Sequence, residues 1–228
     1  PSDTAMSEAI PVSLITGFLG SGKTSLLNRL LTQGELQDAA LIINEFGDVG
    51  IDHLLVETAD EGIVELSDGC LCCTIRGDLV DTLSRLLNRD QPPRRMIIES
   101  TGLADPAPIL HTIMGHPVLS DELRLDGVIC LVDAVNGDAT LNGHEEAVKQ
   151  VAVADRVVLT KTDLQAVDSA LIQRIKHLNP TALLLDSDLG EASFANLFNC
   201  GLYDPATKSA DVSRWLNEEA VNDHHHDH

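Results

Sequence analysis

Aromatic side chains are almost missing from this 228-residue chain: four Phe, one Tyr and one Trp make up 3% of it, against 43% hydrophobic residues. A core drawn from that supply has to be aliphatic, built of Leu, Ile, Val and Ala. Such material suits a sheet covered by helices on both faces. Basic residues are also scarce. Fifteen Lys and Arg stand against 36 Asp and Glu, a formal net charge of −21. A surface this acidic repels phosphate backbones, so no nucleic-acid partner is expected. No run approaches the roughly 18 consecutive apolar residues of a membrane helix, so no membrane partner is expected either. Pro1 to Pro11 lack the basic start and apolar stretch of a secretory leader. A cytoplasmic location is the default expectation. The five cysteines are odd in number, and three crowd into Cys70-Leu71-Cys72-Cys73. That is no disulfide framework; in a reducing compartment it suits a thiolate metal site or a redox site.

Short apolar runs alternate with helical spacings. Val12 to Thr16, Ala40 to Ile43, Met96 to Ser100, Gly127 to Asp133, Val157 to Thr160 and Ala182 to Leu185 have the character of strands, and Ile63 to Leu66 of a short edge strand. Leu26, Leu27, Leu30 and Leu31 mark a helix over Lys23 to Thr32. Leu79, Leu83, Leu86 and Leu87 mark another that ends before Pro92-Pro93. Ile109 to Met114 lies in a helix, and Asp168 to Leu178 forms one stopped by Asn179-Pro180. This order predicts an α/β fold with a mainly parallel sheet. We expect a short extension over residues 1–10, one domain over 11–200, and a helix with a His-rich linker over 201–228. The last helix is expected around Trp215 and Leu216, from Asp211 to Val221, with a low-complexity end.

Gly17-Phe18-Leu19-Gly20-Ser21-Gly22-Lys23-Thr24 fits G-x-x-x-x-G-K-[ST] between a strand and a helix. The pattern predicts a P-loop NTPase with a three-layer fold. Glycines let several backbone N–H groups converge on one phosphate. The helix that follows adds its positive N-terminal end. Lys23 supplies a point charge to the β- and γ-phosphates, and Thr24 a hydroxyl for Mg²⁺. Gly17, Gly20, Ser21, Gly22, Lys23, Thr24 and Ser25 are the candidate nucleotide contacts. Glu99, at a strand end, is the candidate carboxylate on the Mg²⁺ side, with Asp133 as its rival. Gly102 lets a backbone N–H approach the γ-phosphate. Thr160-Lys161-Thr162-Asp163 resembles the guanine motif Asn-Lys-x-Asp with Thr in the first place. A carboxylate at Asp163 accepts from guanine N1–H and its exocyclic amine together, whereas adenine offers no such donor pair. GTP is therefore favoured over ATP, with Thr160, Lys161 and Asp163 on the base side.

Gly69-Cys70-Leu71-Cys72-Cys73 is expected in a loop before the helix near Arg76. Soft thiolates suit Zn²⁺. Skipping one residue lets Cys70 and Cys72 point the same way in an extended segment. Buried structural cysteines or a redox pair remain alternatives. Cys130 and Cys200 are read as packing residues. The end, Asp223-His224-His225-His226-Asp227-His228, is either a metal-gathering tail or a tag.

Together, the phosphate loop, Asn44-Glu45-Phe46-Gly47, Gly69-Cys70-Leu71-Cys72-Cys73, Glu99-Ser100-Thr101-Gly102-Leu103-Ala104-Asp105-Pro106 and Thr160-Lys161-Thr162-Asp163 resemble the CobW family of GTP-dependent metallochaperones. The resemblance covers nearly all of residues 10–200. It implies a slow GTPase that binds Zn²⁺, or a related metal such as Co²⁺, and hands it to a client metalloprotein under nucleotide control. It makes Cys70, Cys72 and Cys73 the metal ligands and places Glu45 in the first switch, at the metal or the attacking water. Lys23, Thr24, Glu99 and Glu45 are then the catalytic set, the segments Asn44 to Asp52 and Ser67 to Thr74 the switches, and Arg76 a candidate finger. Relatives often carry an acidic residue at the position of Ile43; Asp48 is left as a member of any carboxylate-rich second site. A nucleotide-dependent homodimer and a second, C-terminal domain are further implications. The readings left open are a GTPase switch without metal transfer and a passive metal store.

Overall fold

The structure is a computed structural model that describes residues 8–43, 63–65, 70–74, 79–100 and 102–225. Eight strands form one sheet: β1 (Ile10–Gly17), β2 (Ala39–Ile43), β3 (Ile63–Glu65), β4 (Leu71–Thr74), β5 (Arg95–Glu99), β6 (Leu123–Asp133), β7 (Arg156–Thr160) and β8 (Leu183–Asp186). Their spatial order is β3-β4-β2-β5-β1-β6-β7-β8. Seven strands are parallel; only β3, at the edge, runs antiparallel, against β4. The helices are α1 (Lys23–Thr32), α2 (Leu79–Leu87), α3 (Ala107–Gly115), α4 (Leu119–Glu122), α5 (Gly137–Gly143), α6 (Glu145–Val153), α7 (Ser169–Leu178), α8 (Phe194–Leu197) and α9 (Ala210–His225).

The aliphatic strands are buried on both faces, as a parallel sheet between two helical layers requires. Val12, Leu14, Ile42, Ile98 and Val128 face a core shared with α2, α3, α6 and α9. Ile15, Leu41, Ile97 and Ile129 alternate with them and face a second core under α1 and α8. The expected three-layer α/β fold is therefore present. Among the described residues, no helix is long and apolar enough to cross a membrane.

Two expectations need correction. The cysteine segment is a strand, not a loop. Its four residues pair with Ala40 to Ile43 on one side and with β3 on the other. Ladder bonds from a distant segment supply the regularity that four residues between Gly69 and Arg76 do not suggest. The last helix is also longer than Asp211 to Val221, running through His225. Val212 is fully buried and Leu216 is 9% exposed within the larger core. Tyr203 joins them there, its hydroxyl donating 2.8 Å to the Val153 carbonyl. Val212 and Leu216, with the partly buried Trp215, are few anchors for a helix of this length and leave a weak periodic signal.

Candidate functional site

The carboxyl ends of β5, β1, β6 and β7 meet where the strand order reverses around β1, the place where open α/β sheets bind ligands. The phosphate loop crosses this edge. Gly17 has φ of 152°, and a Cβ there would lie 2.6 Å from Ser21 Oγ and 2.8 Å from the Leu131 carbonyl. Only glycine fits that approach. Gly22, at φ 98°, caps α1 without a side chain. Glycine brings no capping side chain to the donors of the first turn, an arrangement that suits an anion.

Lys23 is 8% exposed, and its ammonium donates to the carbonyls of Gly17 (2.6 Å) and Phe18 (3.3 Å). Burial pushes its pKa down, and the nearby Glu99 only partly opposes this. Glu99 ends β5 and is itself 9% exposed. Thr24, next to Lys23 in sequence, is half-buried, and Ser25 is exposed. Ser21 is buried, and among the described residues its hydroxyl has no hydrogen-bond partner. Cys130 lies near Lys23 beneath the loop. Burial raises its thiol to about 12 against the pull of Lys23, which agrees with a packing role. Cys200, half-buried beside Gly127, is likewise pushed up by burial.

The second motif braces the loop from the β7 side. The Thr160 hydroxyl donates 2.7 Å to the Ser21 carbonyl, so this residue supports the loop. Lys161 has φ of 58°, and its ammonium donates 2.8 Å to Asp133. Asp133 also accepts from the backbone N–H of Val135 (2.7 Å) and Asn136 (3.4 Å) and from the Asn136 amide (3.1 Å). Burial raises the Asp133 pKa, but these donors, Lys161 first, hold it below the ordinary carboxylate value. The strand-end carboxylate weighed against Glu99 is thus fastened to Lys161.

Asp163, Lys161, Gly22, Ser25 and Asp188 line a cleft of about 390 Å³ beside α1. That volume lies within the range of small-ligand sites, roughly 300–1,000 Å³. Asp188 was not anticipated from sequence. Its carboxylate accepts from the Thr162 N–H (2.8 Å), the Thr162 hydroxyl (2.9 Å) and the Asp163 N–H (3.4 Å). Asp186 accepts from the same hydroxyl at 2.7 Å. The Asp186-Ser187-Asp188 run at the end of the last strand was the available signal.

Gly102 packs on the phosphate loop: a Cβ there would lie 2.5 Å from the Leu19 nitrogen. Two more residues missed from sequence hold this turn. Gln150, buried in α6, donates to the carbonyls of Gly102 and Ala104, both at 3.2 Å. Lys149 donates 2.8 Å to Asp105. Both partners are more than 40 residues away.

Cys70 and Cys72 are 1% and 5% exposed and share the core beneath α1, so they do face one way. The backbone of Cys73 pairs with Ile42; its side chain lies outside the described residues. So do Glu45, Asp48, Arg76, Thr101 and the segment from Asn44 to Asp52, with His226 and His228. Among the described residues, no group of three or more His, Cys, Asp or Glu is placed to hold a metal ion.

The family model described as CobW/HypB/UreG, nucleotide-binding domain, matches residues 11–186. The chain is 41% identical over 194 residues to the zinc chaperone YjiA of Escherichia coli (strain K12), covering 83% of this chain and 61% of that protein. It is 31% identical over 255 residues to the zinc chaperone CobW of Sinorhizobium sp, covering 96% of this chain and 70% of that one. The crystal structure of the Zn(II)-bound YjiA GTPase from E. coli is similar at a TM-score of 0.67 and 36% identity, covering 91% of this chain and 69% of that one. A Zn(II)-bound triple mutant of the YjiA GTPase gives 0.71 and 37%, with coverages of 85% and 62%. The chain spans less than two thirds of YjiA itself, yet the matched region is most of its own length: it belongs to the CobW/HypB/UreG family and carries that family's nucleotide-binding domain.

Proposed function

We propose that this chain is the GTP-binding and GTP-hydrolysing part of a cytoplasmic metallochaperone, which takes Zn²⁺ or a related transition metal on Cys70, Cys72 and Cys73 and passes it to a client protein. One observation carries the reading. Thr74, directly after the cysteines, is in register with Ile43, and Ile43 is in register with Glu99. The metal-binding strand and the carboxylate beside the phosphate loop therefore sit two ladder steps apart, about 10 Å. The names of the relatives, zinc chaperones and GTPases, agree with this pairing of functions.

The phosphates of GTP would lie on Gly17 to Thr24, with the ammonium of Lys23 turned from loop carbonyls to phosphate oxygens. The base would enter the cleft of Asp163, whose carboxylate selects guanine. Ser21 supports the fit, because its buried hydroxyl lacks a partner among the described residues. Thr24 and Glu99 are the residues that would hold Mg²⁺, which offsets charge on the β- and γ-phosphates. Neither a glutamine nor an arginine finger is evident in the loop, so turnover is expected to be slow. Pairing of two copies in the GTP form belongs to the same reading.

The test is anaerobic titration of Zn²⁺ and Co²⁺ into the apo, GDP and GTP-analogue forms of the protein. Affinities that differ between the nucleotide forms, and that fall in Cys72→Ser, support a nucleotide-controlled metal carrier. Equal affinities in all three forms favour a passive store. Metal binding that ignores the cysteines favours a GTPase without metal work.

A further inference from the structure

Glu99 leaves the sheet beside the phosphate loop, and the chain then turns across that loop at Gly102. The turn is gripped from one side by two consecutive residues of α6. Gln150 is 1% exposed and spends its amide on two backbone carbonyls, those of Gly102 and Ala104. The same side chain lines a cavity against Phe18, Leu19 and Ser21, so it backs the phosphate loop as well as the turn. Lys149 donates to one oxygen of Asp105, while the other oxygen accepts from the Ala107 N–H at 2.9 Å and starts α3. The Lys149 ammonium also lies 5.1 Å from the ring centroid of Trp215 on α9, within cation–π range. α9 packs on both α3 and α6. Glu145 and Glu218, the latter on α9, add to the negative field around this lysine.

We propose that Gln150 and Lys149 are positioning residues that link the nucleotide site to α9: Gln150 sets the Gly102 turn against the phosphate loop, and Lys149 carries displacement of that turn to Trp215. The inference rests on the proposed function, in which the terminal phosphate of GTP meets Gly102. A backbone N–H drawn to that phosphate pulls carbonyls held by Gln150 and shifts Asp105. Lys149 cannot follow Asp105 without changing its place over the indole. A lysine shared between a carboxylate and a ring thus converts a small backbone displacement into a change at the C-terminal helix.

Trp215 is the single tryptophan of the chain, so its emission comes from one ring, and the Lys149 variants isolate the part due to this contact. The full chain is titrated with GDP and with a non-hydrolysable GTP analogue, and calorimetry records binding of each. The analogue is expected to change Trp215 emission relative to GDP. Lys149→Met should bind the analogue without the emission change, and Lys149→Arg should restore it. Gln150→Ala should lower kcat for GTP on the order of tenfold, the loss of two neutral hydrogen bonds, with KM little altered. Identical emission in both bound forms overturns the proposal, as does an analogue response that survives in Lys149→Met. An unchanged kcat in Gln150→Ala overturns its first half. Failure of both nucleotides to bind is a separate result, which removes the underlying reading and the link together.

Discussion

Adding one methyl group at Gly102 should separate the loop's structural and functional demands on the turn that follows Glu99. An alanine Cβ at this position would stand 2.5 Å from the Leu19 nitrogen and 3.0 Å from its Cα. Ordinary contact begins near 3.4 Å, so the shortfall is 3.4 − 2.5 = 0.9 Å. The obstructing atoms are mainly backbone, in a loop already held by the Thr160 hydroxyl, and cannot swing aside as a side-chain tip would. Overpacking of this kind costs about 1–3 kcal/mol. For a domain of this size, 2 kcal/mol lowers Tm by about 4–8 °C. The catalytic consequence is larger, because a misplacement of about 1 Å in a positioning element costs on the order of a hundredfold in rate.

Gly102→Ala is therefore expected to lower GTP turnover about a hundredfold while unfolding only a few degrees early, measured by phosphate release and by circular dichroism. Gly143→Ala is the control, since nothing lies within 4 Å of its added Cβ. That variant should match the wild type in turnover and equal or exceed it in stability. Full turnover in Gly102→Ala with a lowered Tm would detach this turn from the phosphate site. An unchanged Tm as well would refute the steric argument itself.

On the base side, Asp163→Asn should weaken GTP by about 10–100-fold, the loss of a charged acceptor, and leave ATP little changed; direct competition binding checks both. Asp188→Ala should move GTP affinity in the same direction by less, because it only releases the backbone that presents Asp163; an equal or larger loss would make Asp188 a base contact instead. Asp133 gives a pH signature. Its folded pKa is held below 3.8, so its stabilising effect is complete above that value and fades as pH falls through the folded one. The stability gap between wild type and Asp133→Asn, measured with denaturant, should be flat at higher pH and narrow below about pH 3.8; a gap that held constant through that range would contradict the network around Lys161.

The phosphate loop was legible because its demands are local. Glycines at fixed offsets, a lysine and a hydroxyl between strand and helix suffice to state both geometry and chemistry. The bond from Lys161 to Asp133 was not anticipated, because it joins two strand ends that only the sheet order makes neighbours. Thr160 was only half legible: its place in the motif suggested the base side, while its hydroxyl serves the Ser21 carbonyl. Lys149 and Gln150 were not legible. They sit in Glu145–Val153, where nothing marks a functional face, and their partners lie in the distant turn between β5 and α3. On an isolated helix a Lys-Gln pair looks like a solvated surface. Only tertiary packing, which buries Gln150, gives it a purpose.

The strand character of the cysteine segment changes what metal control must mean. A loop of cysteines could swing independently of the nucleotide site. A strand bonded to β2 and β3 cannot, and Cys70 and Cys72 lie inward under α1, in surroundings where an ionised thiolate is poorly housed. On the proposed reading, metal capture therefore has to loosen β4, and its partners oppose this unequally. β3 offers three paired residues, whereas β2 connects directly, through Ile43, to the level of Glu99. Anything that shifts the end of β2 upon GTP binding acts on β4 first. Linkage then runs both ways: whatever factor the GTP analogue imposes on Zn²⁺ affinity, Zn²⁺ must impose on analogue affinity. Measuring both arms of that cycle by calorimetry should return one coupling factor, and two unequal factors would mean that the cysteines and the nucleotide are not sensing the same movement of β4.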